Sequence, residues 1–210
     1  MLRRAFALGL AACTCAGVGV SARAATAPLQ AAAERFLRLA QLLRGLPGAE
    51  RGTALNRWVN QLVDYTPDLS SCGRRDCWQT PAETLASGQG DCEDYAIVKY
   101  FLLDACGSAG CARLVYARCE RAALVGESPA HVVVIADARA ADPLVLDCVG
   151  APPAPLSHRP DLRPVFSFDT HGLWRGVSQE QLGDAAVRLL PWRGVLQRWS
   201  QQQHPGLQAS

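Results

Sequence analysis

The chain has 210 residues, 49% apolar and 19% charged. This balance suits one globular domain with a substantial core and excludes a disordered or low-complexity chain. Its formal net charge is +2, and no internal stretch approaches the ~20 consecutive apolar residues that a membrane helix needs.

Arg3 and Arg4 precede an apolar, small-residue run from Ala5 to Val20, and Ala22-Arg23-Ala24 puts small residues where a signal peptidase reads. Residues 1–24 are read as a secretory signal and 25–210 as a single domain. Leu10-Ala11-Ala12-Cys13 also has the pattern of a lipoprotein site, and cleavage there would leave the chain anchored through Cys13. Loss of Arg3, Arg4 and Arg23 with the leader leaves 18 basic residues against 19 acidic, a net charge of −1. That balance gives no support to a nucleic-acid partner.

Apolar spacing predicts a helix over 28–46, with Phe36, Leu37, Leu39, Ala40, Leu42 and Leu43 near one side and Pro47-Gly48 ending it. A second helix is expected over 49–64, with Leu55, Trp58, Val59, Leu62 and Val63 on its apolar face. Residues 66–89 read as a polar loop with a short turn over 81–85. The clearest helix spans 91–105, where Ala96, Ile97, Tyr100, Phe101 and Leu103 supply the buried stripe and Cys106-Gly107 stops it. Three β-rich runs follow at 112–118, 131–136 and 144–149, with a reversal at 137–143. Residues 150–164 read as proline-rich loop, 165–168 as a further strand and 178–200 as helix. Helices first and strands later make an α+β layer architecture.

Nine cysteines become seven after removal of the leader: Cys72, Cys77, Cys92, Cys106, Cys111, Cys119 and Cys148. An exported chain meets an oxidising compartment, so an odd number leaves at least one thiol unpaired within the chain. Cys72 with Cys77 and Cys106 with Cys111 each enclose a short glycine-containing loop, Cys119 and Cys148 are further candidates, and Cys92 is left over. Zinc is the competing reading, but no CxxC pair occurs.

Asp91 is placed to cap the 91–105 helix and Asp94 falls near its third position, so Cys92 lies in the first turn. Backbone N–H groups and the positive end of the helix dipole favour a thiolate there, and the same amides can stabilise an oxyanion. The base must come from His131, His158, His171 or His204. His131 opens a β-run, which fixes its ring on a sheet, and Asp147 ends the next run, Leu144-Val145-Leu146-Asp147, where it can orient an imidazole. Each residue also has a structural reading: a buried thiol for Cys92, a strand-edge histidine for His131, a turn-capping acid for Asp147.

Trp78-Gln-Thr-Pro81-Ala-Glu83-Thr-Leu85, Gly88-Gln-Gly-Asp-Cys92-Glu-Asp-Tyr-Ala96 and Lys99-Tyr100 together resemble the LapG-type bacterial transglutaminase-like cysteine proteinases. The resemblance continues through Ala130-His131-Val-Val-Val134, Leu144-Val-Leu-Asp147, Arg159-Pro-Asp-Leu, Val165-Phe-Ser-Phe and Gly172-Leu-Trp174. It implies a transglutaminase-like, papain-related fold and a periplasmic endopeptidase with Cys92, His131 and Asp147 as nucleophile, base and orienting acid. It also implies, as substrate, a large surface adhesin cut near its N-terminus at a di-alanine site, which releases cells from biofilm. The partner it implies is an inner-membrane cyclic di-GMP receptor of the LapD type. In that family the acids flanking the cysteine bind calcium; here these are Asp91, Glu93 and Asp94. From the residues alone these acids read as helix caps. Cys148 stands where the family has asparagine, and Cys72, Cys77, Cys106 and Cys111 are extra to its pattern. A transglutaminase-type acyl transferase and a non-catalytic, disulfide-rich binding domain are the alternatives. Oxidised Cys92 would mark the second.

Overall fold

The computed structural model describes residues 18–108, 110–120, 129–149 and 152–203. Helix α1 (Val18–Arg44) buries Ala32, Phe36, Ala40 and Leu43, a stripe at helical spacing. Leu37 and Leu42, expected on the same side, stay exposed, and Pro28, read as a helix start, lies inside the helix. The expected Cys13 anchor lies outside the described residues, as does most of the signal. Helix α2 (Gly48–Leu62) buries Leu55 and Val59 as its pattern required. No described helix is long and apolar enough to cross a membrane.

Between α2 and the cysteine helix the chain is more ordered than its polar composition implies. Strand β1 (Asp64–Tyr65) is followed by the short helix α3 (Asp68–Ser71) and then by α4 (Pro81–Ser87). Helix α4 starts with a capping box: Glu83 N–H donates to Thr80 Oγ1, and Thr80 N–H donates to Glu83. Gly88 ends it at φ 66°, a left-handed conformation that favours glycine. Strand β2 (Gln89–Gly90) then pairs parallel to β1, Tyr65 opposite Gly90, and delivers the chain to α5 (Cys92–Leu103).

Helix α5 is the centre of the molecule. Every residue of it except Glu93 is buried, including Lys99, so the expected one-sided stripe is instead a helix wrapped all round. Helices α1, α2 and α4 cover it on one side and an antiparallel sheet on the other. The sheet comprises β3 (Ala112–Cys119), β4 (Ala130–Ala136), β5 (Leu144–Leu146), β6 (Ala154–Pro155), β7 (Leu162–Phe168), β8 (Leu173–Arg175) and β9 (Gln181–Gly183), in the order β6-β5-β4-β3-β7-β8-β9. Alternation along β4 puts Val132 and Val134 into the main core with α5. Val133 and Ile135 go to a second core with Val115, Ala117, Val145 and Leu162.

The segment read as one helix over 178–200 divides into three. Gly183 leaves β9 at φ 135°, Asp184 caps α6 (Ala185–Arg188) through the Ala186 N–H, and extended Leu189 breaks the run before α7 (Leu190–Gln203). Trp192 and Trp199 of α7 stack among Phe36, Phe101 and Phe168, locking the last helix against α1, α5 and β7. Helix-covered antiparallel sheet is the α+β class expected from the sequence.

Candidate active site

Cys92 is the first residue of α5, at the floor of a cleft of about 830 Å³ that is also lined by His131, Tyr65, Trp78, Asp91 and Glu93. The β1–β2 pairing sets this position. A Cβ on Gly90 would stand 2.6 Å from the Asp94 side chain, so only glycine lets β2 run this close to the helix. Asp91 occupies the N-cap position but makes no side-chain cap bond. Asp94, read as a capping acid, is 0% exposed, and its carboxylate accepts from the Gln79 N–H at 2.7 Å and from Gln79 Nε2 at 2.7 Å. The expected cap is therefore absent, and these acids serve other contacts.

His131 lies at the start of β4, 1% exposed, with Nε2 2.8 Å from Asp147 Oδ1. Its Nδ1 is buried without a hydrogen-bond partner. Asp147 is fixed from several directions. The Val149 N–H donates to Oδ1, and Arg159 Nη2 donates to Oδ2 at 2.7 Å. Asn60 Nδ2 and Lys99 Nζ both donate to its backbone carbonyl, each at 2.9 Å. Arg159 is in turn held by Asp161. Burial alone would push the Asp147 carboxyl up, but the hydrogen bond and charge of His131 and the guanidinium of Arg159 outweigh it and hold the group well below the usual carboxylate range. Arg159, inside the stretch read as proline-rich loop, has a role that its sequence context did not disclose. The other described histidines, His158 and His171, are exposed and line no part of this cleft, and His204 lies outside the described residues.

The sulfur's environment differs from the sequence expectation. Cys92 Sγ donates to Glu93 Oε2 at 3.0 Å, and burial, followed by the charge of Glu93, pushes the thiol well above its ordinary value. The helix start favours a thiolate, but two adjacent carboxylates oppose it.

Those carboxylates belong to a larger cluster. Oxygens of Asp68, Asp91 and Asp94 lie within 4.8 Å of one another, as do those of Asp68, Asp76 and Glu93. Asp68 opens α3 and Asp76 lies in the loop before α4, and no local sequence pattern marks either. Burial is the main cause pushing Asp68 up to about 6, Asp94 up to about 7 and Glu93 up to about 9, with the charge of Asp91 adding to each. Buried Oδ1 atoms of Asp68 and Asp91 have no hydrogen-bond partner. Convergent, unsatisfied hard oxygens suit a calcium ion. Asp94 is the least available, since Gln79 occupies both its oxygens.

Cys72 and Cys77 form the disulfide expected of them. The expected Cys106–Cys111 bridge is absent: Cys111 is an exposed thiol, and Cys106 Sγ donates to the Leu103 carbonyl. Cys119 and Cys148 are also thiols, as is Cys92.

A buried imidazole–carboxylate pair and a helix-start thiol meet on one cleft, the residue types that cysteine hydrolase chemistry uses. The family model for bacterial transglutaminase-like cysteine proteinases matches residues 48–150, and the chain belongs to that family. Among solved structures it is similar to Legionella pneumophila LapG. The EGTA-treated form superposes with a TM-score of 0.65 at 32% identity, covering 77% of this chain and 84% of that one. The calcium-bound form gives 0.63 at 31%, covering 77% and 86%. A further Legionella pneumophila LapG structure gives 0.64 at 33%, covering 77% and 83%. No curated protein matches the chain.

Proposed function

We propose that the chain is an exported, calcium-dependent cysteine endopeptidase that cuts a large surface adhesin near its N-terminus at a di-alanine site. The observation that carries the catalytic part is the His131–Asp147 pair. Asp147 engages Nε2, so Nδ1 is the nitrogen free to exchange a proton with Cys92 on the shared cleft. His131 Nδ1 takes the thiol proton and the sulfur attacks the scissile carbonyl carbon. The Cys92 N–H donates to the developing oxyanion, and Asp147 stabilises the imidazolium. The imidazolium returns its proton to the leaving amine, and water then cleaves the thioester.

Asp68, Asp76, Asp91 and Glu93 are the residues that would hold calcium, which when bound would supply positive charge beside the sulfur and offset the carboxylates that oppose thiolate formation. The calcium-bound form of the similar Legionella pneumophila protein supports this reading. The adhesin substrate, the periplasmic location and a LapD-type cyclic di-GMP receptor as the partner that restrains the enzyme belong to the same proposal, and the motifs around Cys92, His131 and Asp147 are what carries them.

The test is incubation of the wild type and Cys92→Ala with candidate adhesin N-terminal segments, with and without EGTA. Wild type in calcium shortens the segment at the di-alanine site, and neither the variant nor the EGTA-treated enzyme does. A cross-linked product instead would overturn proteolysis in favour of acyl transfer.

A further inference from the structure

The Cys72–Cys77 disulfide lies outside the catalytic apparatus, yet it ties down the loop that carries half of the acid cluster. Asp68 opens α3, and the Cys72 N–H donates to its backbone carbonyl at 2.9 Å, closing that turn. The Cys77 N–H donates to Asp68 Oδ2 at 2.5 Å. One cysteine of the bridge thus holds the main chain of Asp68 and the other holds its side chain. Asp76 immediately precedes Cys77 and joins Asp68 and Glu93 in the cluster. Asp68 is 4% exposed, with Oδ1 unpartnered. Between these two acids the chain runs through Gly73, Arg74 and Arg75 in an exposed loop whose only covalent closure is the bridge.

We propose that the Cys72–Cys77 disulfide is a redox-sensitive determinant of calcium affinity, because it preorganises Asp68 and Asp76 against Asp91 and Glu93. The inference rests on the calcium reading above. Forming a multidentate cation site from a free loop costs the entropy of ordering it, and a short covalent closure removes part of that cost before the ion arrives. Reduction by a dithiol transfers two electrons and two protons to the S–S bond. It yields two thiols and leaves the reductant as its own disulfide. The opened loop releases Cys77, the Asp68 carboxylate loses its fixed amide donor, and Asp76 is no longer held over the cluster. Linkage requires the reverse effect: if the bridge strengthens calcium binding, bound calcium protects the bridge by the same factor.

Calorimetric titration with Ca2+ distinguishes the cases, using the oxidised full chain, the dithiothreitol-reduced chain and the Cys72→Ser/Cys77→Ser double variant, each checked for native circular dichroism. The expected result is one calcium per chain with about tenfold weaker affinity in both opened forms. Correspondingly, the bridge becomes about 30 mV harder to reduce at saturating calcium. Alkylation of Cys72 and Cys77 across a dithiothreitol redox series reads that shift without reference to activity, and it also decides the matter if the double variant fails to fold. Affinities within twofold across the three forms, or a reduction midpoint that calcium does not move, would overturn the inference and leave the calcium reading intact. Absence of calcium binding by the oxidised chain would overturn both.

Discussion

Replacing Arg159 by methionine tests the architecture of the acid–imidazole pair directly. The guanidinium donates to Asp147 Oδ2 at 2.7 Å, with the two side chains 11% and 2% exposed, while His131 and the Val149 N–H engage the other oxygen, Oδ1. Methionine keeps much of the stem's packing and removes the charge and the donor, so Oδ2 is left buried without its partner. Losing a charge-assisted bond to a buried carboxylate costs about 1.5–3 kcal/mol, and breaking a fully buried pair about 3–5 kcal/mol. Because Arg159 reaches the surface, the lower figure applies. About 2 kcal/mol lowers Tm by about 4–8 °C in a domain of this size.

The sign with pH follows from the depressed Asp147 carboxyl. Its contribution is complete above the unfolded value of about 4 and is lost as pH falls through the lower folded value, so the gap between variant and wild type narrows on acidification. A carboxylate free to swing lets the imidazole swing with it, and a misplacement near 1 Å costs about 100-fold in rate. Steady-state cleavage of an adhesin segment is therefore expected to show kcat reduced 10- to 100-fold at nearly unchanged KM, with partial recovery in Arg159→Lys. A variant that loses stability but keeps kcat within twofold would refute the reasoning and reduce Arg159 to a loop anchor.

Two further outcomes follow from the acid cluster and its approach. Asp68, Asp94 and Glu93 are pushed up to about 6, 7 and 9, chiefly by burial. The stability they confer is therefore complete below the ordinary carboxylate range and is lost as pH rises through those values. Thermal melts of cation-free protein are expected to show Tm falling between about pH 4 and pH 9, with calcium restoring more at pH 8 than at pH 5; a Tm independent of pH across that interval contradicts the cluster. Gly90→Ala forces a Cβ to within 2.6 Å of Asp94 and is expected to cost about 1–3 kcal/mol through overpacking. Urea denaturation measures this, and an unchanged midpoint would show that β2 yields freely.

Local patterns made the catalytic core legible. Asp91-Cys92 before an apolar run marks a helix start, and the short β-rich runs at 131–136 and 144–149 mark strands whose antiparallel pairing brings His131 and Asp147 together. What the sequence does not disclose depends on pairs distant along the chain. Nothing about Arg159 in a proline-rich stretch discloses that its fork reaches back to Asp147, and Asp68 and Asp76 gain meaning only when β1 pairs with β2 beside the cysteine. The Thr80–Glu83 capping box lies within a polar segment, where hydrophobic periodicity gives no signal. The thiolate expected at the helix start shows the opposite limit: a local effect opposed by burial and then by the carboxylates that folding gathers around the sulfur.

The last helix reaches back to the front of the molecule. Arg198 binds the Glu83 carboxylate and the Trp78 carbonyl, and Gln202 joins Thr80 and Glu83, across sequence separations of 115 to 122 residues. Trp78 is a wall of the cleft. The wall of the cleft that carries Trp78 therefore depends on the C-terminal helix, although Cys92, His131 and Asp147 all lie upstream of it.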